Sequence, residues 1–299
     1  MSNNKLRSAK FSVNELVKQI QGYSFASRAD MRHMLNRCIK DLHELGYKIS
    51  HLQGLKSKHI HVLVEHWKNQ SKNPATIKNY MSKLRKTAIL LGKPQLLKPS
   101  NDDYQISRRS YVPTHNKAIY QVDYGPCSNP LIRLSLEAQS LFGLRREESM
   151  KLVLSEAYLG DALKLKPSWT KGGIGRTIPL TNDEQRQWLI KAMKQIPAGR
   201  SLIPQEKSYK QHLNQYKIQT KQMGISKCHG LRHAYAQQRY HELTKQFDSH
   251  GEGLICPIAG GKPTKSLSAY EKTIDRKARE IISRELGHAR VAITKIYCG

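Results

Sequence analysis

Lys227–Ala236 reads KCHGLRHAYA and sets His229, Arg232 and His233 three and four residues apart, just after a short loop-like stretch. On a helix this spacing brings His229 to the same face as Arg232 and as His233. Such a face suits a metal-binding helix, a helix that meets DNA, or a catalytic centre that needs an arginine locked beside a histidine. The rest of the chain discriminates among these.

A metal is the weakest of the three. No glutamate stands between the two histidines as in a zinc-protease helix, Gly230 and Leu231 fill the middle, and Arg232 repels a cation. Carboxylates for a two-metal nuclease are scarce, and the pair Asp102–Asp103 falls in a linker-like stretch. GGKPT at 260–264 lacks the first glycine of a nucleotide-binding loop, and KGGIGR is no GxGxxG, so both glycine clusters read as turns. The five cysteines, Cys38, Cys127, Cys228, Cys256 and Cys298, are scattered, odd in number and never in CxxC spacing. They read as reduced, partly buried thiols. No metal and no cofactor are expected.

Charge narrows the partner. Lys and Arg number 51 against 23 Asp and Glu, a formal net charge of +28 over 299 residues, and the usual polyanionic partner for such a surface is nucleic acid. No apolar run approaches the roughly 18–20 residues of a spanning helix, and the N-terminus lacks the apolar core of a secretory signal. No membrane association and a cytoplasmic, nucleoid-associated location are therefore expected.

The first hundred residues read as helices. Ser12 with Glu15 forms a capping box ahead of Val13, Leu16, Val17 and Ile20, which leaves 1–10 as a tail. Ser27 with Asp30 precedes Met31, Leu35, Cys38, Ile39, Leu42 and Leu45, and Gly46 stops that helix. A third helix buries Ile60, Leu63, Val64 and Trp67. The fourth opens on Asn73-Pro74 and carries Ile77, Tyr80, Met81, Leu84 and Ala88 before Gly92 and Pro94. Its Lys78, Lys83, Arg85 and Lys86 lie off the apolar stripe and are either a solvated face or a DNA-binding face that meets phosphates.

A helical domain is thus expected over 11–95, a linker over 96–115, where Pro and polar residues accumulate, and a second domain over 116–299. In that domain Asn129-Pro130 caps a helix that Gly143 closes, and another begins near Arg145. ALKLKPSWTKGGIGRTIPL, 162–180, reads as a β-hairpin between helices. FDSHGEGLICPIAGGKPTKS, 247–266, reads as an extended loop.

Phosphoryl transfer by side chains alone needs fixed cations for the extra charge of the transition state, a proton donor for the leaving oxygen, and a nucleophile. Arginine suits the first task because its planar fork grips two phosphate oxygens and stays charged. A tyrosine, with a pKa of about 10, needs a base or a cationic pocket to act as the third. Along the chain lie GLRREE with Arg145, TKGGIGRTIPL with Lys171, HGLRH, then LGH with His288, and Tyr297 nine residues later. That order resembles the tyrosine recombinase (phage integrase) family, over roughly 116–297.

The resemblance implies a mainly α fold. A helical, SAM-like core-binding domain would be followed by an α-rich catalytic domain with a small antiparallel sheet, the two closing on duplex DNA as a C-shaped clamp. It implies that Arg145 and Arg232 clamp the scissile phosphate, His229 and His288 position it and assist proton transfer, and Lys171 protonates the leaving 5′ oxygen. Tyr297 would attack phosphorus to give a 3′-phosphotyrosyl link. Glu148 would brace the arginine helix, and His233 would pack beside the site. The implied activity is that of a site-specific recombinase, the integrase of a mobile element, working without metal or ATP on double-stranded DNA. Four protomers would assemble on two sites from monomers, with accessory DNA-bending or directionality proteins.

Two departures stand out. The long interval from Arg232 to His288 implies an insertion around 244–276, and two residues follow Tyr297 where many relatives carry a tail that packs on the adjacent protomer. Two other readings share the residues. One is a type IB topoisomerase or resolvase-like nicking-closing enzyme. The other is a non-catalytic architectural or regulatory DNA-binding protein, which a lost catalytic position would mark.

Overall fold

The structure, a computed structural model, describes residues 2–108 and 113–299, and the chain divides into two units, Met1–Ser110 and Tyr111–Gly299. In the first unit α1 (Ser2–Lys18), α2 (Phe25–Glu44), α3 (Ser57–Asn69) and α4 (Pro74–Leu90) surround one core that includes Val13, Leu35, Ile39, Leu63, Trp67 and Met81. The buried Trp67 indole donates to Asp41 at 2.9 Å, satisfying both groups inside that core.

Three boundaries differ from the sequence reading. Residues 2–10, expected as a tail, are helical, because Leu6, Ala9 and Val13 extend the apolar stripe of α1 onto the core. Ser12 is therefore mid-helix rather than a cap. Its hydroxyl donates to the Ala9 carbonyl at 2.7 Å and accepts the Leu52 N–H at 3.0 Å. The cap of α2 is Ser24, which accepts the Ser27 N–H, and not Ser27.

Within the stretch expected as a linker, Leu96, Leu97, Tyr104 and Ile106 are buried in the first unit's core. The segment to residue 108 is thus packed, and residues 109–112 lie outside the described residues. The Asn73-Pro74 start of α4 is as expected, with Asn73 accepting the Ala75 N–H at 2.9 Å.

The second unit runs α5 (Pro130–Phe142), α6 (Arg146–Lys151), the single turn α7 (Leu154–Ala157), β1 (Ala162–Leu165), β2 (Arg176–Pro179), α8 (Asp183–Gln195), α9 (Tyr209–Gln222), α10 (His229–Phe247), α11 (Ala269–Glu285) and α12 (Lys295–Cys298). β1 and β2 pair antiparallel, with Leu163 opposite Ile178 and Leu165 opposite Arg176. Leu163, Leu165 and Ile178 face a core with Phe142 and Trp188, while Lys164 and Thr177 face solvent.

α10 is the central helix, buried along most of its length against α5 and α11. Within the stretch expected as an insertion, α10 runs through Phe247 and α11 begins at Ala269, and the connecting 248–268 holds two short 3-10 turns, Pro257–Ala259 and Thr264–Ser266. Asp248 pins the start of that segment by accepting the N–H groups of His250, Glu252 and Gly253 at 3.0–3.2 Å.

No helix among the described residues is long and apolar enough to cross a membrane.

Candidate active site

α10 begins at His229, so HGLRH occupies its first turn. Gly230 is there because a Cβ would lie 2.6 Å from the Lys117 carbonyl oxygen, and the 117–119 segment bonds to this turn through Ile119 N–H to Gly230 O at 3.0 Å. Arg232, one turn in, is only 1 % exposed. Its guanidinium donates to the carbonyls of Gly143, which closes α5, and of Leu286, which follows α11. It also donates from Nε to the Tyr297 hydroxyl at 3.3 Å and sits 3.2 Å from Nε2 of His288. Among the described residues no carboxylate pairs with Arg232. A buried guanidinium held only by neutral acceptors is an uncompensated positive charge.

Tyr297, in α12, is 5 % exposed. Its hydroxyl lies 3.2 Å from Nε2 of His229, and its ring stacks on His288 with centroids 5.3 Å apart and packs on His233 at 4.6 Å. Gln237, one turn further along α10, donates to the Tyr297 carbonyl at 2.9 Å and is itself held by Asn116. Nδ1 of His288 is buried with no hydrogen-bond partner among the described residues.

Arg145 caps the start of α6, and its backbone N–H and guanidinium both donate to Glu148, at 2.8 and 2.6 Å. Glu148, fully buried, also receives a two-pronged bond from Arg176 at 2.6 and 3.1 Å. Burial alone would raise this carboxyl's pKa. The Arg176 bonds and charge, followed by the Arg145 N–H and charge, outweigh burial and hold it at about 2.

The cations act in reverse on the imidazoles. Burial, then the charges of Arg232 and Arg145, hold His229 at about 4, and burial with Arg232, Arg145 and Arg176 holds His288 at about 3. Burial first, then His229, holds His233 at about 4. Burial also lowers Arg232 to about 10, and it remains cationic at neutral pH.

These depressed values set a stability prediction. Above pH 6.5 the histidines are neutral in both folded and unfolded chains. As pH falls from about 6.5 toward 3 the unfolded chain takes up protons that the folded one refuses, so stability drops. The carboxyl of Glu148 adds to the loss only below its ordinary 4.5. Melting temperature measured across this window should fall, and His229→Asn/His288→Asn should flatten the slope. An unchanged slope in that variant would rule out the depressed imidazoles.

The structure thus gathers Arg145, Glu148, His229, Arg232, His233, His288 and Tyr297. Lys171 does not join them: it is exposed on the turn between β1 and β2 and makes no hydrogen bond or ion pair among the described residues. Of the four basic residues of α4, Lys83 pairs with Asp30 at 2.7 Å, and Arg85 donates to Asn101 at 2.9 Å and to the Lys98 carbonyl at 3.2 Å. Lys86 is exposed over the Tyr23 ring, and Lys78 is half-buried.

Three participants were not singled out in the sequence: Arg176, Gln237 and Asn116. Arg176 alone carried a signal, since strand alternation puts it on the same inward face as Ile178. Among the described residues no cluster of three His, Cys, Asp or Glu side chains could hold a metal ion.

Two family models match the chain, "Phage integrase, N-terminal" over residues 9–97 and "Integrase" over 116–238. No curated protein matches. Solved structures share the fold. A lambda integrase dimer bound to a COC′ core site is 17% identical over 89% of this chain and 77% of its own, with a TM-score of 0.53. The XerH site-specific recombinase bound to a palindromic difH substrate, a post-cleavage complex, is 14% identical over 97% and 81%, with a TM-score of 0.55. The Tn1549 transposon integrase in complex with circular intermediate DNA is 13% identical over 97% and 94%, with a TM-score of 0.53. With both family models in chain order and the fold common to these proteins, the chain belongs to the tyrosine recombinase (phage integrase) family.

Proposed function

We propose that this protein is a site-specific DNA recombinase, the integrase of a mobile element, that cuts and rejoins strands through a covalent link between Tyr297 and a 3′ phosphate. One observation carries the reading: the buried guanidinium of Arg232, which no carboxylate among the described residues neutralises, is aimed through Nε at the hydroxyl of Tyr297. A buried cation in that state suits an anion that arrives from outside, and a backbone phosphate is the anion that a +28 chain attracts. The lambda, XerH and Tn1549 proteins are each described in complex with DNA, which supports the same partner.

In the proposed reaction Arg145 and Arg232 hold two non-bridging oxygens of the phosphate, and His229 and His288, neutral at working pH, each offer one N–H or one lone pair. The Tyr297 oxygen attacks phosphorus and its proton passes to His229, the nearest imidazole. The P–O5′ bond breaks, and Lys171 supplies the proton for the departing 5′ oxygen once its turn folds onto the DNA. Attack by a second 5′ hydroxyl reverses the step and conserves the bond energy. Strand exchange requires two duplexes, hence four protomers on two sites, with accessory DNA-bending or directionality proteins setting direction. Lys78 and Lys86 of α4 are proposed as phosphate contacts, whereas Lys83 and Arg85 chiefly brace the helical unit.

The test is covalent capture. Wild-type protein is incubated with a pool of duplexes bearing randomised sequence and a nick, so that the short released fragment with its free 5′ hydroxyl diffuses away and cannot reverse the step. Denaturing gels should then show a protein–DNA adduct, absent with Tyr297→Phe, and digestion should yield the Tyr297 peptide carrying a 3′-phosphonucleotide. An adduct that persists in Tyr297→Phe would overturn the assignment of the nucleophile.

A further inference from the structure

Arg176 stands at the start of β2 with its side chain turned inward, 9 % exposed, and it touches two of the segments that build the site. Its two terminal nitrogens grip Glu148, and its Nε donates to the Glu285 carbonyl at 2.6 Å, at the end of α11. Gly287 of the LGH segment packs against it so closely that a Cβ there would lie 3.0 Å from Arg176 Cδ.

The charge count around Glu148 is the informative part. One carboxylate faces two guanidiniums, and the more deeply buried of them, Arg176, holds it with a two-pronged bond, the stronger geometry for such a pair. Arg145 keeps one guanidinium nitrogen on Glu148 and is about a quarter exposed, with a side-chain value of 24%. A carboxylate neutralised by Arg176 leaves the Arg145 charge uncancelled. A carboxylate that Arg145 had to neutralise alone would compete directly with any phosphate for the same fork.

We propose that Arg176 is a positioning residue that neutralises Glu148 and thereby releases the full positive charge of Arg145 to the scissile phosphate. This rests on the proposed recombinase reading of the site. It adds a third arginine to it, one that never meets DNA and acts through Glu148. The low carboxyl pKa of Glu148, to which Arg176 contributes more than Arg145, is in keeping with this division.

The experiment compares Arg145→Met, Arg176→Met, Arg176→Lys and Glu148→Gln/Arg176→Met. It measures the salt dependence of binding to random-sequence duplex DNA and the rate of adduct formation on the nicked pool. Each lost phosphate contact lowers the slope of log affinity against log salt by about 0.9. Arg145→Met should show that loss. Arg176→Met should show it too, although it removes no DNA contact, and its adduct rate should fall about 100-fold, the scale of one lost electrostatic donor. The double variant should recover the wild-type slope and an adduct rate within about tenfold of wild type, because no carboxylate is left to capture Arg145. Arg176→Lys, which keeps the charge, should stay closer to wild type than Arg176→Met.

A merely structural arginine would not be rescued at the phosphate by removing Glu148. If Arg176→Met does not fold, the double variant and Arg176→Lys decide, since one removes the buried carboxylate and the other keeps a cation beside it. Loss of the wild-type slope in the double variant overturns the proposal, and so does a wild-type slope and adduct rate in Arg176→Met. The recombinase reading fails separately, through absence of any adduct with wild-type protein or through an unchanged slope in Arg145→Met.

Discussion

Arg232→Met is expected to abolish covalent adduct formation, by about a thousandfold or more, while the folded chain persists. The magnitude follows from how much one guanidinium does: a single preorganised donor to a developing negative charge is worth about 100- to 1000-fold. In the proposed reaction Arg232 supplies such a bond to a phosphate oxygen, and its Nε and a terminal nitrogen also hold the Tyr297 hydroxyl and His288 in place. Stability changes less, because two effects oppose. The carbonyls of Gly143 and Leu286 lose their donor, at about 1–3 kcal/mol each, but an uncompensated charge no longer has to be buried. Arg232→Lys keeps a charge and loses the fork, so it should sit near Met in adduct formation.

The histidines provide a second readout of the same variant. The Arg232 charge is the second cause, after burial, of the low pKa of both His229 and His288. Without it both imidazoles should titrate higher, short of the ordinary 6.5 because burial remains. Proton NMR titration of the imidazole resonances checks this, and values unmoved by Arg232→Met would mean that the arginine charge is not what they sense.

The difference between what was legible in the sequence and what was not has a physical basis. HGLRH, LGH and the last tyrosine were legible because their chemistry is carried by residue type at short spacing. The Asn129-Pro130 cap and the hairpin were legible because local rules specify them, and Asn129 does accept the Ile132 N–H at 3.0 Å. Ser12 misled because a serine before an apolar run looks like a cap. Its hydroxyl instead accepts the N–H of Leu52, forty residues away, which no local pattern encodes. The 96–108 stretch misled in the opposite sense, since Pro, Asp and Ser outnumber the four apolar side chains that anchor it. The Arg176–Glu148 pair joins two segments 28 residues apart, and only the parity of one short strand hinted at it.

Gly143→Ala is expected to lower the melting temperature of the second unit by roughly 10 °C and to depress adduct formation with it. In the sequence Gly143 read only as the stop of α5, and it does end that helix in the left-handed region, φ 59°, at about 1–2 kcal/mol for any L-residue. The larger consequence is steric. A Cβ would stand 2.4 Å from Cδ1 of Tyr235 and 3.0 Å from a Leu286 methyl, so α10 or the LGH turn must shift. Overpacking of that kind costs about 1–3 kcal/mol more, and each kcal/mol moves the midpoint of a unit this size by about 2–4 °C. The Gly143 carbonyl is also an acceptor for Arg232, and the shift displaces the guanidinium from the Tyr297 hydroxyl. Gly224→Ala separates the two effects. Gly224 also has positive φ, 70°, just past a helix end, but nothing lies within 4 Å of its Cβ position. It should lose only the backbone part and leave adduct formation alone. Equal losses at the two glycines would show that the contact with Tyr235 and Leu286 does not hold the arginine in place.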